Sequence, residues 1–272
     1  MKFLTLNTHS WMEKDPQEKF RLLLQDILEQ DYDLICFQEI NQEISSILAE
    51  TDEFYHLLPS AEPIHQDHYI YLLVQELKKA GREYYWTWAY NHIGYDRYHE
   101  GVGILSKNQI QAREILVSDV DDPTDYHTRR VALVETTVDG KDLAVASVHL
   151  SWWDKGFQEE WARFESVLTD LNKPLLLAGD FNNPAGQEGY QTILASPLSL
   201  QDAYEAAQER SGSYTVPPEI DGWKGNSEPL RIDYVFTTKD LQVKYLHVVF
   251  DGQNSPQVSD HYGLKTELIW KD

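Results

Sequence analysis

A short apolar run at residues 175–178 leads through Gly179 into an acid, an aromatic residue and two carboxamides. Its length and the proline and glycine beside it predict a strand buried on both faces. Asp180 and Asn182 then lie where the strand ends, the place where loops on a rigid α/β scaffold carry catalytic groups. Because Asp, Asn and Pro also favour turns, this segment alone is equally typical of a simple turn.

Polar side chains of the same kind stand at the ends of several other predicted apolar strands. Each of them alone is most simply a cap, a turn residue or a satisfied core group, because a buried charge needs a partner. Together they suggest one site, and carboxylate and amide oxygens are the ligands that Mg²⁺ and Mn²⁺ prefer. The absence of clustered Cys and His spacing argues against structural zinc. The positions are Asn7, Glu39, His149, Asp180, Asn182, Asp233, Asp260 and His261.

The spacing of apolar residues predicts the elements that must position these groups. Asp139-Gly140 is a strong hairpin signal, and loops are expected at 91–100 and 211–230. With no internal repeat, low-complexity segment or linker, the chain is expected to form one domain over residues 1–272. Helices are predicted at 15–28, 42–48, 65–79, 157–171, 188–194 and 200–209, and strands at 2–7, 34–39, 84–90, 101–106, 114–117, 130–138, 143–150, from 175, at 230–236, at 243–250 and up to 269.

Composition narrows the classes of partner and the compartment. The net charge of −22 disfavours DNA, RNA and anionic membranes, whose binding normally requires a basic surface. A single cysteine, Cys36, excludes an intrachain disulfide and fits a reducing compartment. The N-terminus shows no signal-peptide pattern and the chain has no long apolar stretch, so we expect a cytoplasmic protein without membrane contact.

The ordered set of motifs resembles the endonuclease/exonuclease/phosphatase superfamily, which has the deoxyribonuclease I-like fold. The resemblance extends from residue 2 to about residue 269. It implies an α+β (α/β) protein built as a four-layered α/β/β/α sandwich of two packed mixed β-sheets. The motifs are Leu6-Asn7, Gln38-Glu39, Ser147-Val148-His149-Leu150, Gly179-Asp180-Phe181-Asn182, Arg231-Ile232-Asp233-Tyr234 and Ser259-Asp260-His261.

The resemblance also implies a metal and a base for phosphoester hydrolysis. Glu39 is expected to bind the metal, with Asn7 beside it and Asp260 as a further acid on the metal side. Asp180 is expected to orient and deprotonate the attacking water, and Asn182 to hold that water or the phosphate. These roles agree with the needs of the reaction, which are charge neutralisation, an in-line nucleophile and a stabilised leaving oxygen.

The resemblance assigns roles to histidines as well. Asp233 is expected to pair with His261 near the phosphoryl oxygens, and His149 matches a second histidine that nuclease and sphingomyelinase branches use. Protonated histidines would help to neutralise the phosphate. One departure is Thr8-His9, where several nucleases of the superfamily carry an acid two residues after the asparagine. His9 is therefore either a phosphate contact or a bystander, and two-metal schemes are less secure.

The motifs leave the phosphoester open, because one fold serves many substrates. Charge and the missing membrane and secretion signals favour a small soluble substrate, and aromatic side chains next to the predicted site suit the stacking of a sugar ring. Within the superfamily the chain is similar to maltose 6'-phosphate phosphatases. The alternative for Trp152-Trp153 is that the pair packs as core. The loop aromatics are Trp11, Tyr95, Tyr98, Trp152, Trp153, Tyr190 and Trp223, and the predicted substrate contacts are His9, Tyr98, Trp152, Trp153 and Trp223.

Two other functions compete with a sugar phosphatase. A DNA-repair nuclease of the same fold would need a positive strip beside Asp180. A non-catalytic binding module would have no physical need for so many buried acids.

Overall fold

Two mixed β-sheets pack face to face in the computed structural model, which describes residues 1–271. Helices cover the outer face of each sheet, so the expected four-layered α/β/β/α sandwich is confirmed. The first sheet has the spatial order β11 (Glu209–Ser211), β13 (Leu241–Val249), β14 (Gly263–Trp270), β1 (Lys2–Asn7), β2 (Leu34–Glu43), β5 (Tyr98–Ser106), β4 (Tyr85–Gly94) and β3 (Tyr55–His56). The second has the order β10 (Gln201–Asp202), β12 (Asp233–Thr237), β9 (Leu175–Asp180), β8 (Lys141–His149), β7 (Arg130–Val138) and β6 (Ile110–Leu116).

Five α-helices complete the outer layers of the described residues 1–271. The first two pack on the first sheet through apolar stripes such as Phe20, Leu23 and Ile27, while the third and fourth cover the second sheet. Burying one such side chain contributes roughly 2 kcal/mol, so these stripes hold the helices in place. The helices are α1 (Pro16–Gln30), α2 (Tyr69–Lys79), α3 (Phe157–Thr169), α4 (Glu188–Leu194) and α5 (Ala203–Ala206). Within residues 1–271, no helix has the length and apolarity required to span a lipid bilayer.

The two sheets are joined at the centre by apolar packing and by buried hydrogen bonds. Small and β-branched residues such as Ala132, Val145 and Ala178 fill the space between the sheets. The Gln38 side chain of β2 donates from Nε2 to Ser147 Oγ of β8 at 2.9 Å, and that hydroxyl donates to a carbonyl of β2. A buried donor and acceptor satisfied across the interface fix the position of one sheet relative to the other.

Strand register places the polar strand ends at one edge of the sandwich. β8 and β9 are parallel with His149 beside Asp180, and β9 and β12 are antiparallel with Asp180 beside Asp233. In the first sheet β1 runs parallel to β2, so that Asn7 lies next to Gln38 and therefore close to Glu39. The side-chain period of a strand is two residues, so a slip of one residue would bury these groups elsewhere.

Three predicted elements differ from the structure. Residues 42–48 do not form a helix, because β2 continues to Glu43 and the Gln42 side chain bonds the backbone of Pro63 and His65. Residues 91–100 are not a loop but a hairpin of β4 and β5. The helix predicted at 200–209 is a single turn, α5, which Asp202 caps before β11 begins.

Several sequence signals are confirmed. Asp139 and Gly140 both have positive φ, 54° and 77°, and join β7 to β8 in a tight hairpin. Residues 212–230 contain no helix or strand, as expected for most of the polar loop predicted at 211–230. The strand predicted at 230–236 begins only at Asp233, as β12.

Candidate active site

Gly179 allows the strand that carries the central acid to run close to its neighbours. Its φ of 137° lies in the range that favours glycine, and a Cβ atom there would collide with the carbonyl of Val148 and the side chain of Gln38. Asn182, two residues after the strand residue Asp180, has φ 50° and turns its amide back toward the site. The sequence around Asp180 is therefore both a tight turn and the presentation of polar groups.

Asp180 is buried at the centre of the site. Its Oδ1 accepts a hydrogen bond from the backbone N–H of Asn182 at 2.9 Å, and its Oδ2 accepts one from Asn7 Nδ2 at 3.1 Å. Burial raises the pKa of Asp180 to about 7, and the adjacent Asp233 carboxylate contributes to the rise. A carboxylate with a pKa near neutrality is suited to accept a proton during turnover at physiological pH.

Asp233 and His261 form a buried pair, as the sequence resemblance implied. His261 Nδ1 lies 3.1 Å from Asp233 Oδ1 and 3.0 Å from Oδ2, and its Nε2 lies 3.7 Å from Asp180 Oδ2. Burial opposes a charge on His261, but the carboxylates of Asp233 and Asp180 outweigh it and hold the pKa of the imidazole well above its ordinary value. His261 is therefore an imidazolium with Nε2–H directed into the site.

Glu39 approaches the same centre from the first sheet. Its φ of 53° is rare for a residue with a side chain, and this bend after the β2 register shift turns its carboxylate toward Asn7. Asn7 Nδ2 donates to Glu39 Oε1 at 2.8 Å as well as to Asp180, and thus bridges the two acids. Burial and the Glu100 carboxylate raise the pKa of Glu39, so its negative charge is incompletely compensated by protein groups.

His149 lies on the opposite side of Asp180 from His261. Its Nε2 is 3.7 Å from Asp180 Oδ2 and 3.9 Å from Glu39 Oε1, and its Nδ1 is 3.3 Å from Nη1 of Arg129. Burial and the guanidinium of Arg129 hold the pKa of His149 well below its ordinary range. The surroundings therefore favour the neutral form of His149, whereas they favour the charged form of His261.

The donor set fits a hard divalent cation. One ligand atom from each of Glu39, His149 and Asp180 lies within 4.8 Å of the other two, and the incompletely compensated charge of Glu39 would be relieved by a cation. Asp180, Asp233 and His261 also lie within 4.8 Å of one another, but both oxygens of Asp233 contact His261. The Glu39 carboxylate, rather than His149, is thus the better ligand in the first group for the predicted metal.

His9 and Asp260 lie together at the rim, where they form a group with Glu13. His9 Nδ1 is 3.0 Å from Glu13 Oε1 and 3.8 Å from Asp260 Oδ1, and the same Glu13 oxygen accepts a hydrogen bond from the backbone N–H of Asp260 at 2.8 Å. Burial opposes the charge of His9, but Glu13 and Glu39 outweigh it and raise the pKa of His9 to about 9. His9 is a cation at neutral pH, whereas the acid expected here in related nucleases would be an anion.

A pocket of about 390 Å³ opens over these groups. Its floor includes Asp180 and His261, and its walls include Trp152 and Trp223. Trp223 Nε1 donates to Asn182 Oδ1 at 3.2 Å, which ties the polar loop to the end of β9. The remaining lining residues are His9, Glu39, His92, Ile93, Gly94, Tyr95, Glu100, Tyr126, Arg129, His149, Lys155, Asn182, Asp221, Gly222 and Asp260.

Two predicted substrate contacts do not line the pocket. Tyr98 is buried at the start of β5, and the guanidinium of Arg97 lies over its ring. Trp153 packs against Phe157 at the start of α3, so the core interpretation holds for Trp153 but not for Trp152. His9, Trp152 and Trp223 do line the pocket.

Three buried residues that line the pocket were not predicted from the sequence. Glu100 follows the β4–β5 turn and lies 3.4 Å from Nε2 of His92, and Arg129 precedes β7. Burial opposes the charge of Glu100, but His92 and Arg129 lower the pKa of its carboxyl group. The only hint of Glu100 and His92 was the density of hydrogen-bonding side chains in the segment assigned as a loop, and Arg129 carried none.

Comparison with known proteins agrees with the fold and the motifs. A solved endonuclease/exonuclease/phosphatase family protein from Leptotrichia buccalis is 29% identical, with a TM-score of 0.83 and coverage of 99% of this chain and 100% of that chain. The mannosyl-6-phosphatase structure from Bacteroides thetaiotaomicron is 15% identical, with a TM-score of 0.68 and coverage of 99% and 100%, and shows the shared fold alone. Nocturnin from Xenopus laevis is 26% identical over 155 residues, which are 52% of this chain and 35% of that protein.

A family model extends the match along most of the chain. Residues 11–261 match the model described as the endonuclease/exonuclease/phosphatase family. That range contains every predicted site residue except Asn7 and His9. The chain therefore belongs to the endonuclease/exonuclease/phosphatase family, whose members hydrolyse phosphoesters.

Proposed function

We propose that this phosphoester hydrolase is a divalent-metal-dependent phosphomonoesterase, a single catalytic domain that acts on a small phosphorylated sugar. The observation that carries the proposal is the pocket of about 390 Å³, which has a catalytic floor and an aromatic wall. A volume of this order suits one small molecule, and an indole face beside hydrogen-bonding groups suits a sugar ring. The mannosyl-6-phosphatase with the same fold is in keeping with this substrate class.

The residues on the floor are arranged for attack by water on phosphorus. Asp180 takes the proton of the water, whose oxygen forms the new bond to phosphorus while the bond to the sugar oxygen breaks. The imidazolium of His261 donates from Nε2 to a phosphoryl oxygen, and Asp233 holds the ring in that orientation. The departing sugar oxygen takes up a proton from solvent water, and Asp180 returns to solvent the proton that it accepted, so that an alcohol and inorganic phosphate are released.

Glu39, with Asn7 beside it, would hold Mg²⁺ or Mn²⁺, and Asp260 supplies a further acid at the rim. A bound divalent cation would stabilise the negative charge that develops on the phosphoryl oxygens. Asn182 accepts one hydrogen bond from Trp223 at its side-chain carbonyl oxygen, which retains a second lone pair for the water. Its Nδ2 donates one hydrogen to Leu150 O and retains a second for the phosphate.

The charge around the pocket favours a small substrate over a nucleic acid. Among the lining residues, Arg129, Lys155 and the cationic His9 and His261 stand beside five acids, and only Arg129 and Lys155 are arginine or lysine. Nucleic acid binding depends on neutralising many phosphates with Lys and Arg, which this surface does not provide. The acids are Glu39, Glu100, Asp180, Asp221 and Asp260.

A phosphate-release screen tests the proposal. The purified protein is incubated with Mg²⁺ and, in separate reactions, with monosaccharide and disaccharide 6-phosphates, nucleotides, inositol phosphates and abasic DNA. Phosphate release from sugar phosphates, absent with the Asp180→Asn variant, supports the proposal. Cleavage confined to DNA would instead identify a repair-type nuclease. Inactivity on every ester, both with Mg²⁺ and with Mn²⁺, would identify a non-catalytic binding module.

A maltose 6'-phosphate arm makes the screen more specific. Besides Trp152 and Trp223, the pocket is lined by Lys155, whose Nζ lies 4.7 Å from the centroid of the Trp152 ring. A second sugar ring would stack on this wall, so a disaccharide phosphate should have a lower KM than glucose 6-phosphate. Equal KM values for the two esters would remove the argument for a disaccharide substrate.

A further inference from the structure

Arg129 is a buried arginine in the wall of the pocket, and the Glu100 carboxylate interacts with it only beyond ion-pair distance. Its side chain belongs to a residue that is 3% exposed, and its Nε has no hydrogen-bond partner. Within residues 1–271, no carboxylate oxygen lies within 4.0 Å of its guanidinium nitrogens. Buried arginines are normally paired with acids, so the position of this one needs another explanation.

Among residues 1–271, the guanidinium of Arg129 forms a side-chain hydrogen bond with His149 alone. Nη1 lies 3.3 Å from Nδ1 of the imidazole. A guanidinium has five N–H donors, no acceptor and no accessible neutral form, so it can only donate in this contact. Nδ1 of His149 must then carry the lone pair, which leaves Nε2 as the ring nitrogen that carries the proton.

The other side of the ring explains why this tautomer matters. Nε2 of His149 lies 3.7 Å from Asp180 Oδ2 and 3.9 Å from Glu39 Oε1, both too long for hydrogen bonds. The Nε2–H group is therefore left free beside the two acids, where a phosphoryl oxygen of the substrate would sit. In the other tautomer, the Nε2 lone pair would face that oxygen and repel it.

We propose that Arg129 is a positioning residue that holds His149 as the neutral Nε2–H tautomer, so that His149 donates a hydrogen bond to the substrate phosphoryl group. The proposal depends on the proposed hydrolysis only where it predicts that Arg129 affects the reaction rate. The tautomer itself is a property of the protein without substrate. The two can therefore fail separately.

The neighbouring Arg130 provides a matched control. It is also buried, but its guanidinium donates to the Tyr90 carbonyl at 3.1 Å and pairs with Asp121. Arg129→Met and Arg130→Met thus remove the same group from adjacent residues, and only the first removes the contact with His149. Thermal unfolding identifies any variant that does not fold.

Nitrogen-15 NMR of the histidine rings measures the tautomer directly. The signals of His149 are the ones that are missing from the spectrum of His149→Ala. In the wild-type protein they should report an unprotonated Nδ1 and a protonated Nε2. Arg129→Met should give a mixture of tautomers, and Arg130→Met should leave the wild-type pattern. A protonated Nδ1 in the wild-type protein would overturn the proposal, even if every variant failed to fold.

Kinetics separates positioning from direct substrate binding. Arg129→Met should lower kcat by about 10²-fold with little change in KM, because one donor to the transition state is lost. Arg129→Met should have no further effect in a His149→Ala background, because the group it positions is gone. Additive losses, or a raised KM with unchanged kcat, would show instead that Arg129 contacts the substrate itself. If Arg129→Met changes the tautomer but the wild-type protein has no detectable hydrolase activity, the proposed function is refuted and the tautomer assignment stands.

Discussion

Replacing Asp180 by Asn should abolish activity and yet stabilise the metal-free protein. The side chain is buried, and its pKa is raised from 3.8 to about 7 by burial and by Asp233. A carboxyl group whose pKa is raised in the folded state stabilises the protein below the unfolded pKa, and this contribution is lost as pH rises through the folded pKa. Between pH 4 and pH 7.5 the metal-free wild-type protein therefore loses stability that an amide, which does not titrate, would keep.

The magnitude follows from the same numbers. At about 1.4 kcal/mol for each pKa unit, the difference between 3.8 and about 7 corresponds to about 4 kcal/mol at pH 7.5. The amide retains an oxygen for the backbone N–H of Asn182 but turns an N–H toward Asn7, which costs about 1–2 kcal/mol. The net gain is about 2 kcal/mol, and for a chain of this size it raises Tm by about 5 °C.

Two assays and one control check the result. Phosphate release with Mg²⁺ should fall by about 10³-fold, because the base that accepts the proton of water is lost. Calorimetry in EDTA at pH 7.5 should give the raised Tm. Asp202→Asn is the control, since Asp202 is equally buried but accepts from Arg231 at 2.7 Å and Tyr190 at 2.9 Å. Asp202→Asn should lower the free energy of unfolding by about 3 kcal/mol, because it leaves the buried Arg231 without its acid. It should leave turnover unchanged, because Asp202 does not line the pocket.

The reasoning is refuted by specific outcomes. Near wild-type turnover in Asp180→Asn would remove Asp180 from the role of base. A lowered Tm in EDTA would show that the Asp180 carboxylate is stabilised, not destabilised, by its surroundings, and the account of its raised pKa would fail.

Three further predictions concern the divalent metal, the tryptophans at residues 152 and 153, and the buried His68. EDTA should silence the enzyme, and Mg²⁺ or Mn²⁺ should restore it; activity that survives chelation would exclude a metal-dependent mechanism. Trp152→Ala should raise KM about tenfold, whereas Trp153→Ala should lower stability without changing KM; equal effects would place both in the core. His68 is fully buried, and burial lowers its pKa to about 3, so stability is lost as pH falls below the unfolded pKa of 6.5. His68→Asn should reduce by about 2 kcal/mol the difference in unfolding free energy between pH 7 and pH 5, measured with urea.

The strand ends that carry the acids could be predicted because burial leaves a clear pattern. Residues 175–178 and 34–37 are continuous apolar runs, and a polar group directly after such a run must lie at the end of a buried strand. The register that sets Asp180 beside both His149 and Asp233 was not in that pattern, because the pairing of strands distant in sequence depends on the packing of the whole sandwich. The family resemblance implied that these residues share one site, but it did not predict the register.

The false helix at 42–48 has an equally physical cause. Ile44, Ile47 and Leu48 have helical spacing, but they are 38%, 70% and 60% exposed and face no core. Periodicity records the spacing of apolar residues and not their burial, so an exposed apolar cluster imitates a helix face. Similarly, the β4–β5 turn uses Tyr95 and Asp96 at φ 53° and 54°, without the Asn-Gly or Asp-Gly signal of such turns. Glu100 and His92 were missed with that hairpin.

The register of β9 and β12 also explains why the C-terminal segment belongs to the site. Asp180 and Asp233 lie directly opposite each other, and like charges at such a pair destabilise a sheet. His261 contacts both oxygens of Asp233 and directs Nε2 toward Asp180, so its positive charge offsets the repulsion between the two acids. His261 contacts Asp233 at hydrogen-bonding distance but lies 3.7 Å from Asp180, so it offsets the burial of Asp180 only in part, and the pKa of Asp180 is raised to about 7. Two acids brought together by one register thus acquire different roles, the orientation of a histidine and the acceptance of a proton.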